Sequence, residues 1–279
     1  MPVPEKLKSL VDRMPEADSR GMYTQDINKQ EIEKAAAEIA KGGPAFVQGL
    51  VEMLGEPGTE ENVKPHYALH CVINHPLVAG DDNMRRQFCE VLAKSLDGDV
   101  STYNKAYLCQ ELQWAGGREA VSALGKLLTD AALCDPAAMA LAAIGDGAAD
   151  ELRKAWPQAE GPCRLAVADA LAALADSRSA DVFREALEDD DREVRLAGGA
   201  GLSRIADAGA VDAMLGAADV EPGWERVQQT KHCLVLAENL AAAGKDREAG
   251  QIYSHLQKTR KDPSERYIRE AAEAALANV

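Results

Sequence analysis

Along most of this chain, apolar residues recur at helical spacing and polar residues fill the positions between them. The clearest stretch is residues 190–207, Asp-Asp-Arg-Glu-Val-Arg-Leu-Ala-Gly-Gly-Ala-Gly-Leu-Ser-Arg-Ile-Ala-Asp. An acidic pair opens a helix there, Val194, Ala197, Leu202 and Ile205 make one stripe, and small residues stand where a second helix has to come close. The pattern returns upstream. Ala115-Gly116, Ile144-Gly145, Leu174-Ala175 and Ile205-Ala206 each close a helix, and their second residues lie 29, 30 and 31 positions apart. Leu124, Leu152, Phe183 and Met214 mark the helices that follow, at separations of 28, 31 and 31. Two anchors moving in step define a repeat of about 30 residues, the size of a helix pair that stacks on its neighbours because it cannot bury its apolar face alone.

The flanks are less regular. Leu7, Leu10, Val11 and Met14 predict a short capping helix that leads into a polar loop ending near Tyr23. Asn28 and Glu31 fit a capping box for a helix that Gly42-Gly43-Pro44 terminates, and residues 45–54 complete that hairpin. After a loop from Gly55 to Glu61, a helix from Lys64 to Asn74 is expected to stop at His75-Pro76, since the residue before a proline avoids α geometry; residues 82–96 form its partner. Beyond Pro222 the spacing lengthens, and Asp262, Pro263 and Glu265 start a closing helix, Tyr267 to Val279, whose Arg269, Glu270 and Glu273 face water. The fold class is therefore all-α, an α-solenoid of antiparallel helix hairpins. Residues 1–100 are its divergent hairpins, 101–218 its regular repeats and 219–279 its closure.

Asp191, Val194, Arg195, Ala197 and Leu202 followed by Ile205-Ala206-Asp207 resemble the first helix of a HEAT repeat. Ala120 to Leu124 with Leu127-Leu128 resemble its second. The likeness is to the short form also found in phycobilisome lyase-like proteins, and it covers residues 101–218. Gly244, Ala249 and Tyr253 resemble the turn and second helix of a tetratricopeptide unit. The resemblance implies a right-handed superhelix with the first helix of each pair on its concave side. Gly198, Gly199 and Gly201 depart from the pattern, standing where alanine is usual. Each costs a helix up to about 1 kcal/mol, so either a neighbour approaches closely or that repeat is soft.

Composition sharpens the class. The chain is 46% hydrophobic but only 4% aromatic, so its apolar mass is largely Ala, Leu and Val, which suits close helix packing. The formal net charge is −15, spread along the chain, and such a field repels phosphate backbones and anionic lipid. Nucleic acid and membrane are disfavoured as partners, and a basic or amphipathic protein segment is favoured, unless the charge serves only to solvate the surface. Cys71, Cys89, Cys109, Cys134, Cys163 and Cys233 occur singly with no Cys-x-x-Cys pair, and they read as reduced core thiols. The N-terminus carries no signal-like apolar run. Together these features make a cytoplasmic protein the expectation, although removal of a leader would leave the same sequence.

Candidate chemistry is sparse. His66 and His70 share a helix face at the spacing of a two-histidine metal pair, with His75 and Cys71 nearby, but no third ligand stands out. The repeated His-Glu dipeptides of HEAT-like di-iron hydroxylases are absent, as are Gly-x-Ser-x-Gly, His-Glu-x-x-His and a phosphate-binding loop. Trp114 and Trp156 with nearby acids resemble a HEAT-fold DNA glycosylase only superficially, and the net charge opposes that use. No catalytic residue and no cofactor is assigned. The reading is a non-enzymatic scaffold that binds a peptide or protein segment along its concave helices. The alternatives are an enzyme or accessory lyase using the His/Tyr cluster, or a self-associating structural protein. Tyr103, Tyr107, Gln110 and Trp114 recur at i, i+4, i+7 and i+11, forming either an exposed hot-spot stripe or the core of a junction near His70 and Asn74. Aligning the repeats on Leu112, Leu141, Leu171 and Leu202 adds Gln113, Met139 and Asp169 to the partner-facing candidates.

Overall fold

A computed structural model of the protein describes residues 3–16, 27–57, 59 and 63–277. All regular structure among them is helical, and the contacts divide the chain into two compact units, residues 1–151 and 152–279.

The first unit contains α1 (Glu5–Val11), α2 (Lys29–Ala40), α3 (Gly43–Glu52), α4 (Val63–Ala79), α5 (Asp82–Leu96), α6 (Thr102–Ala115), α7 (Arg118–Gly125), α8 (Cys134–Ile144) and the start of α9 (Ala148–Ala155). Helices two places apart pack together, α2 on α4, α3 on α5, α4 on α6, α5 on α7 and α6 on α8, which is the arrangement of stacked hairpins. The sequence pattern explains what holds them. Leu7, Leu10, Val11 and Met14 are buried, as are Leu112, Leu124 and Leu141 of the repeat frame. Asn28 caps α2 by accepting from the Glu31 N–H at 3.2 Å, while the Glu31 carboxylate takes Arg13. The polar loop ending near Tyr23 lies outside the described residues, as does part of the Gly55–Glu61 loop.

One boundary differs from expectation. The helix predicted to stop at His75-Pro76 continues through Pro76 to Ala79. A proline within a helix forfeits one backbone hydrogen bond, but Pro76 is buried and its carbonyl accepts from Asp81 N at 2.9 Å. The helix ends at Gly80, whose φ of +69° is the left-handed conformation that a side chain disfavours.

The second unit continues α9 and adds α10 (Gly161–Leu174), α11 (Ala180–Leu187), α12 (Arg192–Arg204), α13 (Val211–Ala218), α14 (Trp224–Ala242), α15 (Asp246–Thr259) and α16 (Arg266–Leu276). Here α12 packs against α10, α11 and α14, and α14 against α13 and α15. The glycine departures mark these contacts. A Cβ on Gly198 would stand 2.7 Å from Leu187 N and 2.8 Å from Phe183 O, one on Gly201 2.3 Å from the buried Phe183 ring, and one on Gly199 2.2 Å from Gln229 Oε1. Close approach, rather than softness, is the reason for glycine in this repeat.

A second period runs through the polar contacts. Arg164, Arg195 and Arg226 are 31 residues apart. Each binds a carboxylate, Asp189 at 2.6 Å, Glu225 at 2.6 Å and Glu265 at 2.7 Å respectively. Each also donates to a backbone carbonyl just upstream, of Trp156, Asp189 and Val220 in turn. Arg153 pairs with Asp176 and Arg184 with Asp207, again 31 residues apart on both sides. At the closure Arg260 is fully buried, held by Asp219 at 2.7 Å and Ala218 O at 2.7 Å. Arg269, expected to face water, is half-buried and donates to the Arg260 and Asp262 carbonyls; Glu270 and Glu273 are exposed.

The cysteines also require correction. Cys71, Cys89, Cys109 and Cys233 are free thiols, but Cys134 and Cys163 are disulfide-bonded, so the expectation of six reduced thiols fails for two. Both occupy the start of a first helix, one repeat apart. No helix among the described residues is long and apolar enough to cross a membrane.

Candidate functional site

The polar side chains of α4 and α6 meet across the junction where the irregular hairpins join the regular repeats. His66, His70 and Asn74 follow one another at four-residue intervals on α4, so they share a face. Opposite them, Asn104, Tyr107 and Glu111 share a face of α6. His66 Nε2 lies 3.2 Å from Asn104 Oδ1, and the Tyr107 hydroxyl donates to the His66 carbonyl at 2.7 Å. The His66 and Tyr107 rings are 4.5 Å apart. Asn104 donates onward to Leu54 O at 3.2 Å.

The deepest member is Glu111, whose side chain is 2% exposed. Both its oxygens take His70 Nδ1, at 3.0 and 3.1 Å, while half of the His70 side chain reaches solvent. That hydrogen bond raises the His70 pKa against the opposing effect of burial. In the neutral ring the same bond keeps the proton on Nδ1, facing Glu111, and leaves Nε2 as the acceptor. Asn74 donates to the His70 carbonyl at 2.8 Å, fixing the turn that carries the imidazole. Burial, with Glu111 adding to it, pushes the Cys71 thiol up to about 11 and raises the Tyr107 hydroxyl well above its ordinary value. Neither group ionises near neutrality, so the cluster offers an oriented imidazole without an activated nucleophile.

The histidine pair considered as metal ligands is divided between partners, His66 on Asn104 and His70 on Glu111. Among the described residues no group of three or more His, Cys, Asp or Glu side chains could hold a metal ion.

On the other side of α6, toward α8, Tyr103, Ala106, Tyr107, Gln110, Gln113, Pro136 and Met139 line an open depression of about 360 Å³. The aromatic stripe splits across it. Tyr103 is 44% exposed and Tyr107 half-buried against His66, so Tyr107 serves the junction and the depression at once. Trp114, at 64% exposure, stands on the same helix without lining the depression. Of the partner-facing candidates, Tyr103, Tyr107, Gln110, Gln113 and Met139 come together. Asp169 is exposed on α10 in the second unit and is not part of this site.

Sequence reasoning passed over Asn104 and Glu111, and the repeat carried a signal for the second. With Leu112 aligned to Leu141, Leu171 and Leu202, Glu111 occupies the position held by Ala140, Ala170 and Gly201, all buried. A carboxylate in a small, buried register has to find a partner across the interface, and His70 provides it.

Comparison with known proteins bears on the fold. No family model matches the chain, and no curated protein matches it. Among solved structures, an engineered protein from the Northeast Structural Genomics Consortium matches with a TM-score of 0.52 and 21% identity, over 98% of this chain and 78% of that one. A designed armadillo repeat protein is 19% identical over 99% of this chain and 98% of its own, with a TM-score of 0.26. The first likeness is one of fold alone. With the 31-residue period and the stacked hairpins of each unit, the class is decided. The chain is a helical repeat protein of the all-α solenoid class.

Proposed function

We propose that this protein is a non-enzymatic interaction scaffold built from HEAT-like units, and that it receives a segment of a partner protein in the depression between α6 and α8. The observation carrying this reading is the composition of that surface: Tyr103 and Met139 are large apolar side chains left 44% and 50% exposed beside Gln110 and Gln113. Tyrosine supplies much contact area at modest ordering cost, methionine adapts its flexible thioether to the partner, and both are enriched where protein surfaces bind. The fold supports the same use, because contacts only between neighbouring hairpins leave the first helices free to present such a surface.

A photo-crosslinking amino acid placed at Gln113, and separately at Ser122 on the exposed face of α7, tests this in extract from the native host. A protein segment crosslinked from position 113, absent at position 122 and lost when Met139→Arg is added, is the expected outcome. Crosslinks only from position 122, or a position-113 crosslink indifferent to Met139→Arg, would refute the reading. The cytoplasmic expectation rested in part on reduced thiols, and the disulfide-bonded Cys134 and Cys163 remove that part of its support.

A further inference from the structure

The chemistry lining the depression specifies more than its place. None of its seven lining side chains, Tyr103, Ala106, Tyr107, Gln110, Gln113, Pro136 and Met139, carries a charge, although the whole chain has a net charge of −15. The acidic and basic residues of the same two helices do not line it: Lys105 on α6 and Asp135 on α8 are absent from its walls, and Glu111 is buried against His70. A basic side chain entering the depression would leave water without gaining a carboxylate, an uncompensated desolvation.

Its polar groups point to the form of the ligand. The Gln110 and Gln113 amides and the Tyr103 hydroxyl make no hydrogen bond to another described residue, whereas the Tyr107 hydroxyl is already committed to the His66 carbonyl. Each free amide offers a donor and an acceptor side by side. A helical ligand has satisfied its own backbone and offers these amides only its side chains, while an extended segment carries unpaired N–H and C=O groups along its length.

Resting on the interaction reading above, we infer that the occupant is an uncharged, extended segment of a partner protein. It sets apolar or proline side chains against Tyr103, Tyr107 and Met139 and pairs its backbone with Gln110 and Gln113. Binding is then insensitive to salt, the opposite of what the chain's net charge suggests.

The test is selection on the full-length chain from a peptide display library that contains neutral, basic and amphipathic-helical members, followed by affinity measurement for the enriched peptides. Neutral peptides that vary less than about twofold in Kd between low and high salt, and that weaken about tenfold in Gln110→Ala/Gln113→Ala, are expected. Rescue by Gln110→Asn/Gln113→Asn separates lost pairing from lost fold. Enrichment of basic peptides with salt-sensitive binding at Met139, or of helical ones, overturns the ligand chemistry and leaves the interaction reading standing. Enrichment only of peptides indifferent to Met139→Arg, or of none, overturns both.

Discussion

Replacing Gly198 by alanine separates tight packing from softness in α12 by the sign of its effect. In an open helix the change gains about 1 kcal/mol from propensity. At this position the new Cβ would meet Leu187 N at 2.7 Å, Phe183 O at 2.8 Å and Ala186 C at 3.0 Å, all backbone atoms of α11 and its end. Ordinary contact requires a separation larger by about 0.7–1 Å, and no side-chain rotation can supply it, so α12 has to lift from α11. Overpacking of this kind costs about 1–3 kcal/mol. Against the propensity gain, the expected net result for Gly198→Ala is a loss of up to about 2 kcal/mol in place of the gain an open helix would show. Gly201→Ala, facing the fully buried Phe183 ring at 2.3 Å, shares the sign. Gly216 and Gly250 provide the control, because a Cβ at either position meets nothing within 4 Å. Alanine there is expected to stabilise by up to about 1 kcal/mol. Urea unfolding read by far-UV circular dichroism gives the signs, and native-state hydrogen exchange over α11 and α12 locates them. A Gly198→Ala variant as stabilised as Gly216→Ala would show that the helices are not in close contact and would sink the packing argument.

Other expectations follow from the polar contacts and the turns. His70 has a pKa raised above its ordinary 6.5 by Glu111, so its contribution to the α4–α6 junction is complete below that value and is lost as pH rises through the folded-state midpoint. Glu111→Gln should lower the His70 midpoint in an NMR titration, and an unmoved midpoint would mean that the pair does not form. Glu225 and Glu265 are depressed by their hydrogen bonds to Arg195 and Arg226, so the stability they lend is present above 4.5 and disappears as pH falls through their folded values. Arg195→Met should reduce the acid sensitivity of unfolding in the second unit, and an unchanged pH profile would count against the Arg195–Glu225 pair. Ala175 and Ala206 hold φ of +50° and +52° one repeat apart, where Gly145 sits at +74°; Ala206→Gly should stabilise by about 0.5–1 kcal/mol, measured by the same urea midpoints. Arg260→Met should cost about 2–4 kcal/mol, since it leaves the Asp219 carboxylate and the Ala218 carbonyl without their buried donor, and a near-neutral effect would show that water replaces it.

Helix identity, repeat length and much of the core were legible from residues 101–218, because they depend on local periodicity. Leu124, Leu152, Phe183 and Met214 recur in register, and all four are fully buried. The exception at Pro76 shows the limit of local rules: burial and following contacts carried α4 one turn past a residue that disfavours helix. The site was only half legible. Tyr103, Tyr107, Gln110, Gln113 and Met139 could be placed together by aligning repeats, whereas the Glu111–His70 pair spans 41 residues and is visible only once α4 lies on α6. The same holds for the three glycines of α12. Pattern establishes that small residues are wanted, since helical spacing is encoded in the chain itself. Whether the missing Cβ makes room for a backbone 2.7 Å away or leaves a weak turn depends on the position of α11, and only packing decides that.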